Sequence, residues 1–310
     1  MSSPAELLRL PPLPASVKAG RVPRWPLDRL VHRACPVCAG DHPRRLCRRP
    51  DELVVAQCPE CGMTYLPDIP AEPDLEAFYR DYGSYKGLGP AASRWWHRLM
   101  PFRRPDPFVE ILLQTGGLAG QRLCEVGCSY GLFLRRCRDR GADVFGVEWD
   151  DHARQHLAGQ GMASGRSLPA DRQFDIGCAF QLLEHLADPQ GFVRDLAARL
   201  APDGRLLLAM PNGGDADRIG PAWVGFRVDL EHLNYFNART LAALLQPHGL
   251  YVEQTWDYMQ ADLPRADAPG PRRGRFERLF AHASTRLGVG PYHLDGTYIL
   301  CLLARKAASA

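Results

Sequence analysis

The fold turns on Leu123-Cys124-Glu125-Val126-Gly127-Cys128-Ser129-Tyr130-Gly131. A short apolar run over 121–126 ends beside an acid, and a glycine-bearing loop follows. Gly131 then opens a segment in which Leu132, Phe133 and Leu134 precede a basic end and Gly141. That order predicts strand, loop and helix, with Gly141 as the helix stop. Gly127 lets the backbone turn tightly and approach a ligand, and Gly131 opens the helix next to the loop. The carboxylate of Glu125 suits a cationic ligand better than a pyrophosphate.

Working outward, the alternation continues. A second strand over 143–148 closes on Glu148, 17 positions after Gly131. An acid there can accept both hydroxyls of an adenosine ribose. A helix is predicted over 151–159, a weak third strand near 161–164, a fourth over 174–180 and a helix over 189–200. Pro202-Asp203-Gly204 reads as a turn before an apolar strand over 205–210, which Pro211-Asn212-Gly213-Gly214 ends. A helix over 238–246 and strands over 250–255 and 297–304 complete the series. The fold expected is α/β: a Rossmann-like seven-stranded sheet with helices on both faces, its ligands at the C-terminal strand ends.

The chain has 310 residues, enough for one large domain and a small accessory one. Four regions are expected: a loosely ordered tail over 1–34, a cysteine knuckle over 35–66, a helical connector or substrate cap over 67–119, and the α/β domain over 120–310. Segment 257–296, with its Pro/Arg patch, is an insertion in that domain. A net charge of +3 is too mild to imply nucleic-acid binding. No run approaches the roughly 18 apolar residues that span a bilayer, and the tail lacks the pattern of a signal peptide. Cys47, Cys124, Cys128, Cys137, Cys178 and Cys301 are scattered singly, which suits a reducing compartment and a cytoplasmic location.

The other four cysteines form two pairs, Cys35-Pro36-Val37-Cys38 and Cys58-Pro59-Glu60-Cys61, separated by 19 residues. Such pairs can set four thiolates tetrahedrally around Zn²⁺. Disulfides or free thiols are the alternative, disfavoured without a secretory context. Four protein ligands leave no open position, so the expected site is structural, the staple of a small four-cysteine zinc ribbon.

Together these motifs resemble the class I S-adenosylmethionine-dependent methyltransferases, whose first motif is an acid followed by a three-glycine loop. Ser129 stands here where that family has its middle glycine. Agreement continues in Phe174-Asp175, in Phe180-Gln181-Leu182-Leu183-Glu184-His185, in the stretch from Pro202 to Asn212 and in Asp229-Leu230-Glu231-His232-Leu233-Asn234-Tyr235-Phe236. The resemblance implies that Glu125, Gly127, Cys128, Ser129, Tyr130 and Gly131 frame the methionine part of S-adenosylmethionine. It places Glu148 at the ribose, Trp149 beside the adenine, and Phe180 and Gln181 over the other side. Bacterial natural-product and surface-sugar enzymes of this kind carry a cysteine knuckle before a Tyr-rich connector, here Phe78-Tyr79-Arg80-Asp81-Tyr82, which implies a cap on the substrate side.

Methyl transfer is an in-line displacement, so the protein aligns donor and acceptor and takes the acceptor's proton where necessary. His185 is either that base or a scaffold at the loop; His232 is a second candidate, or a capping residue. Quinone-pathway O-methyltransferases that this chain resembles support a metal with Glu-x-x-Glu-His, and Gln181 replaces the first acid. Trp95, Trp96 and Trp223 line an acceptor pocket or belong to the core, and Arg44-Arg45, Arg103-Arg104 and Arg272-Arg273 read as solvated surface. The function expected is O-methylation of a small-molecule acceptor, a sugar or natural-product intermediate, with no membrane and no nucleic-acid partner. The alternatives are a ribosomal-RNA methyltransferase with a zinc ribbon and a non-catalytic zinc-knuckle interaction protein.

Overall fold

The computed structural model describes residues 22–80, 106–220, 223, 225–258 and 299–308. Tyr82, Trp95, Trp96, Arg103 and Arg104, Arg272 and Arg273 with most of the insertion, and the tail up to residue 21 lie outside the described residues.

An N-terminal module holds β1 (Val31–His32), β2 (Arg44–Arg48), β3 (Val54–Gln57), β4 (Thr64–Tyr65) and β5 (Asp68–Ile69), followed by α1 (Glu72–Arg80) and α2 (Pro107–Gln114). The large domain continues through β6 (Arg122–Val126), α3 (Leu132–Arg138), β7 (Asp143–Val147), α4 (Asp151–Gly159), β8 (Ala163–Gly165), β9 (Phe174–Phe180), α5 (Pro189–Arg199) and β10 (Leu200–Pro211). It ends with α6 (Gly214–Ile219), α7 (Gly225–Val228), β11 (Asn234–Tyr235), α8 (Ala238–Leu245), β12 (Leu250–Tyr258) and β13 (Ile299–Lys306).

The main sheet has seven strands in the order β12-β13-β10-β9-β6-β7-β8. β13 runs antiparallel to β10 and β12, and the other neighbours are parallel. The expected Rossmann-like α/β sheet is therefore present. Strand order reverses between β6 and β9, so the crevice for a ligand lies beyond their carboxyl ends.

The central strands are largely apolar because both their faces are covered. Along β10, Leu206, Leu208 and Met210 enter one core with Leu196 of α5 and Leu241 and Leu244 of α8. Leu207 and Ala209, pointing the other way, join Val109 and Leu112 of α2, Phe133 of α3 and Leu157 of α4. Each such side chain contributes about 1.5–3 kcal/mol of burial. Helix starts follow from side-chain caps: Asp106 accepts from Phe108 and Val109, Asp150 from His152 and Ala153, and Asn237 forms a capping box with Thr240.

Three local features depart from expectation. The third strand begins two residues later, at Ala163. Pro202-Asp203-Gly204 does not precede a separate strand but forms an irregular stretch within β10, where the register shifts between Leu200 and Arg205 and Asp203 takes φ 60°. Helices α6 and α7 fill a segment that shows no clear period in the sequence.

The N-terminal module is not a free-standing ribbon. Its four-stranded sheet has the order β11-β4-β3-β2, so a strand of the large domain forms one edge. Cys47, Leu53, Val55 and Leu66 share a third core with Trp223, Phe226 and Tyr235. Trp223 is thus a core residue, edge-on to Phe226 at 5.0 Å and Tyr235 at 5.6 Å.

The glycine loop sits hard against β7. A Cβ on Gly146 would lie 2.6 Å from Cys128 Sγ and 3.0 Å from Leu134 Cδ1. Gly146→Ala is expected to destabilise by roughly 1–3 kcal/mol through overpacking. Adding Cys128→Ala should recover part of that loss, and thermal melts of both single variants and the double read the coupling. Strictly additive losses would refute this account of the packing.

Candidate functional site

The loop between β6 and α3 takes three left-handed residues in alternation: Gly127 at φ 78°, Ser129 at 48° and Gly131 at 68°. Ser129 occupies a conformation that glycine adopts at no steric cost. A Cβ on Gly131 would lie 2.2 Å from Leu157 Cδ2, so only glycine lets α3 start this close to α4.

Four of the loop amides are already engaged. Gly127 and Cys128 donate to Val147 O at 2.9 and 3.2 Å, Gly131 to Cys128 O at 2.9 Å, and Ser129 to Glu148 Oε2 at 2.8 Å. A phosphate-binding loop turns such amides toward its anion. This one closes them on the protein and presents acid instead. Glu125 is buried with Oε2 lacking a hydrogen-bond partner. Burial, with the carboxylates of Asp106 and Glu148 adding to it, pushes its carboxyl well above the usual carboxylate range. A buried acid with an unfilled acceptor fits a ligand ammonium group.

Glu148 lies just beyond β7, which stops at Val147, one residue short of the expected strand, and its Oε1 accepts from Trp149 N at 2.7 Å and Asp150 N at 3.0 Å. These bonds fix the carboxylate at the rim of the crevice. Trp149 beside it is 71% exposed. Tyr130 packs edge-on against His156 of α4 at 5.4 Å. Phe180 stacks on Phe108 at 4.1 Å and meets Phe133 edge-on, whereas Gln181, at φ 52°, stands exposed at the end of β9. Burial pushes the Cys128 thiol up, so it packs as a neutral group.

After β9, Glu184 and His185 fall in a one-turn 3-10 helix, Leu183–His185. His185 meets His232 edge-on, ring centroids 4.7 Å apart, and Tyr79 Oη lies 3.0 Å from His185 Nδ1. The ligand atoms of Glu184, His185 and His232 lie within 4.8 Å of one another, and so do those of Asp229, Glu231 and His232. His232 is common to both groups. Such a group can pass a proton or hold a divalent cation. Tyr79, Glu184 and Glu231 are the site residues that the sequence left without a firm role. The aromatic connector announced Tyr79, but nothing in the chain says that it reaches a loop 106 residues away.

The four knuckle thiols also converge within 4.8 Å. Cys35 and Cys61 Sγ are 3.5 Å apart, and Cys38 and Cys58 Sγ 3.4 Å. These spacings are far beyond a disulfide bond and near the edge of about 3.8 Å that 2.3 Å zinc–sulfur bonds imply. The two knuckles match: Ala39 donates to Cys35 O and Gly62 to Cys58 O, both at 2.9 Å and both left-handed. Burial raises Cys35, and Cys38 to about 11, while amides of Cys61 and Glu60 outweigh burial and hold Cys58 below the ordinary range. Four sulfurs set this close together suit a thiophilic cation, whose binding displaces their protons.

Residues 92–255 match the family model described as methyltransferase domain. The match covers more than half of the chain, which belongs to this family. Among curated relatives, the ubiquinone biosynthesis O-methyltransferase of Idiomarina loihiensis is 31% identical over 163 residues, 46% of this chain and 63% of that protein. That of Aeromonas salmonicida is 29% identical over 138 residues, 39% and 58% respectively. The chain thus covers less than two thirds of these relatives' length. A magnesium protoporphyrin IX methyltransferase from Synechocystis with bound S-adenosylhomocysteine is similar at 15% identity and TM-score 0.47, over 75% of this chain and all of that one. No helix among the described residues is long and apolar enough to cross a membrane.

The left-handed Ser129 gives a direct test of the loop. Relief of its strain, about 1–2 kcal/mol, outweighs the unfolded-state entropy of a new glycine, about 0.4–1 kcal/mol. Ser129→Gly should therefore raise the melting temperature by a few degrees, and a lowered one would contradict the assigned backbone.

Proposed function

We propose that this chain is an S-adenosylmethionine-dependent O-methyltransferase acting on a small hydroxyl-bearing acceptor. The buried carboxylate of Glu125, one oxygen unfilled beneath a loop four of whose amides are already engaged, carries the reading: it asks for a cation where a dinucleotide would bring phosphates. Membership of the methyltransferase-domain family supports it, as does the O-methyltransferase activity named for curated relatives.

The residues then divide the work. Glu125, with the backbone from Gly127 to Gly131, receives the amino-acid end of the cofactor, and Glu148 accepts its ribose hydroxyls. Trp149, Phe180 and Gln181 flank the base. When bound, the cofactor supplies an electrophilic methyl group on a sulfonium. On the acceptor side, Tyr79 holds His185 through Nδ1, which leaves Nε2 as the proton-accepting nitrogen. His232 packs edge-on against that ring, and the acids Glu184 and Glu231 beside the pair stabilise the imidazolium that forms. The four thiols of Cys35, Cys38, Cys58 and Cys61 seat one structural Zn²⁺ that fixes the two knuckles.

Titration calorimetry with S-adenosylmethionine tests the cofactor site. Burial holds the Glu125 proton in the free protein, and the cofactor's ammonium pulls its pKa down, so binding releases a proton between the two values. Affinity should therefore rise with pH through that window, by at most about tenfold per unit, and the heat should vary with the buffer's ionisation enthalpy. Glu125→Gln should abolish this linkage and weaken binding roughly 10–100-fold, as loss of a charged hydrogen bond does. Failure of the folded, metal-replete protein to bind S-adenosylmethionine would sink the proposal.

The metal is tested separately. Elemental analysis should find one zinc per chain, and Cys38→Ser or a strong chelator should remove it and lower the melting temperature. A metal-free preparation that melts at the same temperature would rule out the structural role.

A further inference from the structure

Two arginines of the N-terminal module, Arg49, which is buried, and Arg33, which is half-buried beside the knuckle, reach out of it. Arg49 is 1% exposed. Its Nε donates to Asp51 Oδ1 at 3.0 Å and its Nη2 to Asp51 Oδ2, so its charge is balanced within two residues. Trp25 Nε1 holds the same carboxylate at 3.0 Å. The remaining donors all leave the module. Nη1 reaches His232 O at 2.6 Å and Tyr235 Oη at 2.7 Å, and Nη2 reaches Leu230 O. Arg33 keeps one bond inside the module, Nε to Leu66 O at 2.9 Å, and its other donors leave it: Nη1 donates to Ala187 O at 2.9 Å, and Nη2 to Leu233 O at 2.8 Å and Asn234 Oδ1 at 2.9 Å.

These contacts fall on two loops, the one that carries His185 and the one that carries His232. A buried ion pair is a poor source of net stability, and apolar residues of the same volume would serve a core as well. What a guanidinium adds is geometry, a planar fork that fixes several acceptors at once. Here the acceptors include the backbone carbonyl of His232 itself. We propose that Arg49 is a positioning residue, with Arg33 as its counterpart on the neighbouring loop: through them the thiol-bearing module sets the placement of the His232 ring against His185. The inference rests on reading the two histidines as the working pair, but its test reads ring placement and needs no acceptor.

The experiment is side-chain NMR of the full-length, zinc-loaded protein carrying ¹³C,¹⁵N-histidine, with the two signals assigned through His185→Gln and His232→Gln. Arg49→Lys keeps the charge beside Asp51 but cannot span the three loop acceptors. Tyr235→Phe removes one acceptor with almost no change of shape, and it decides the matter if Arg49→Lys does not fold. The His232 ring signals, and with them those of His185, should shift or broaden in either variant. Those of His152 and His156 on α4 should stay in place, and S-adenosylmethionine should bind within twofold of the parent. Unmoved His232 signals in the folded variants would overturn the proposal, and so would equal movement of all four histidines, which marks general loosening. Loss of S-adenosylmethionine binding by the parent protein would instead sink the methyltransferase reading and leave the ring placements to stand on their own.

Discussion

The arrangement of the two histidine-bearing loops hangs on the buried side chain of Asn234. Its Nδ2 donates to Leu183 O at 2.9 Å and Leu186 O at 2.8 Å, bracketing the turn that carries His185. Its Oδ1 accepts from Arg33 Nη2, and its backbone pairs with Tyr65 in β4. One amide thus ties the His185 turn, the His232 loop and the N-terminal sheet into one body. Leu233 N, donating to Glu184 O at 2.7 Å, draws the two loops closer still. A buried amide with every group satisfied is stiff, because any displacement leaves a polar atom without a partner in a medium that cannot supply one. The histidines inherit their spacing from that stiffness.

The cofactor side is built on another logic. Its loop is closed on itself and on β7, so its shape does not depend on a ligand. Val147 O takes two amides, Glu148 takes three, and the left-handed residues between them leave the backbone little freedom. Only Glu125 stands unfulfilled, and that is an electrostatic demand in place of a structural one. A preformed cradle with a single acceptor left open needs little backbone rearrangement to receive a ligand.

The two sides differed in how far the sequence revealed them. The main sheet was legible because apolar runs ending in Glu125, Gly127 and Glu148 carry period, stop and charge together, so one reading explains several residues at once. β11 was not, since two residues, Asn234 and Tyr235, show no periodicity and pair with a strand roughly 170 positions away. The irregular start of β10 was misread for a related reason: Pro202-Asp203-Gly204 is good turn chemistry, and only the pairing of Leu200 with Phe174 reveals that the strand has already begun. Arg33 and Arg49 were illegible among their neighbours. Arg44, Arg45 and Arg48 look the same on paper, and only the acceptors that Arg33 and Arg49 reach across the fold separate them.

That contrast bears on how the parts depend on one another. The family match begins at residue 92 and contains the cofactor cradle, both histidines and Asn234. It does not contain Tyr79, Arg33 or Arg49, which hold those histidines from outside. Nor does it contain the knuckle, although Cys35, Val37, Cys58, Met63 and Tyr65 pack in one core with Leu208, Leu241 and Leu244. A β4 without β11 would be an edge strand with open amides, and a His232 loop without Arg49 would have three acceptors buried and unmet. The thiol-bearing module and the histidine-bearing loops therefore form one hydrogen-bonded unit, and neither part has a complete set of hydrogen bonds without the other.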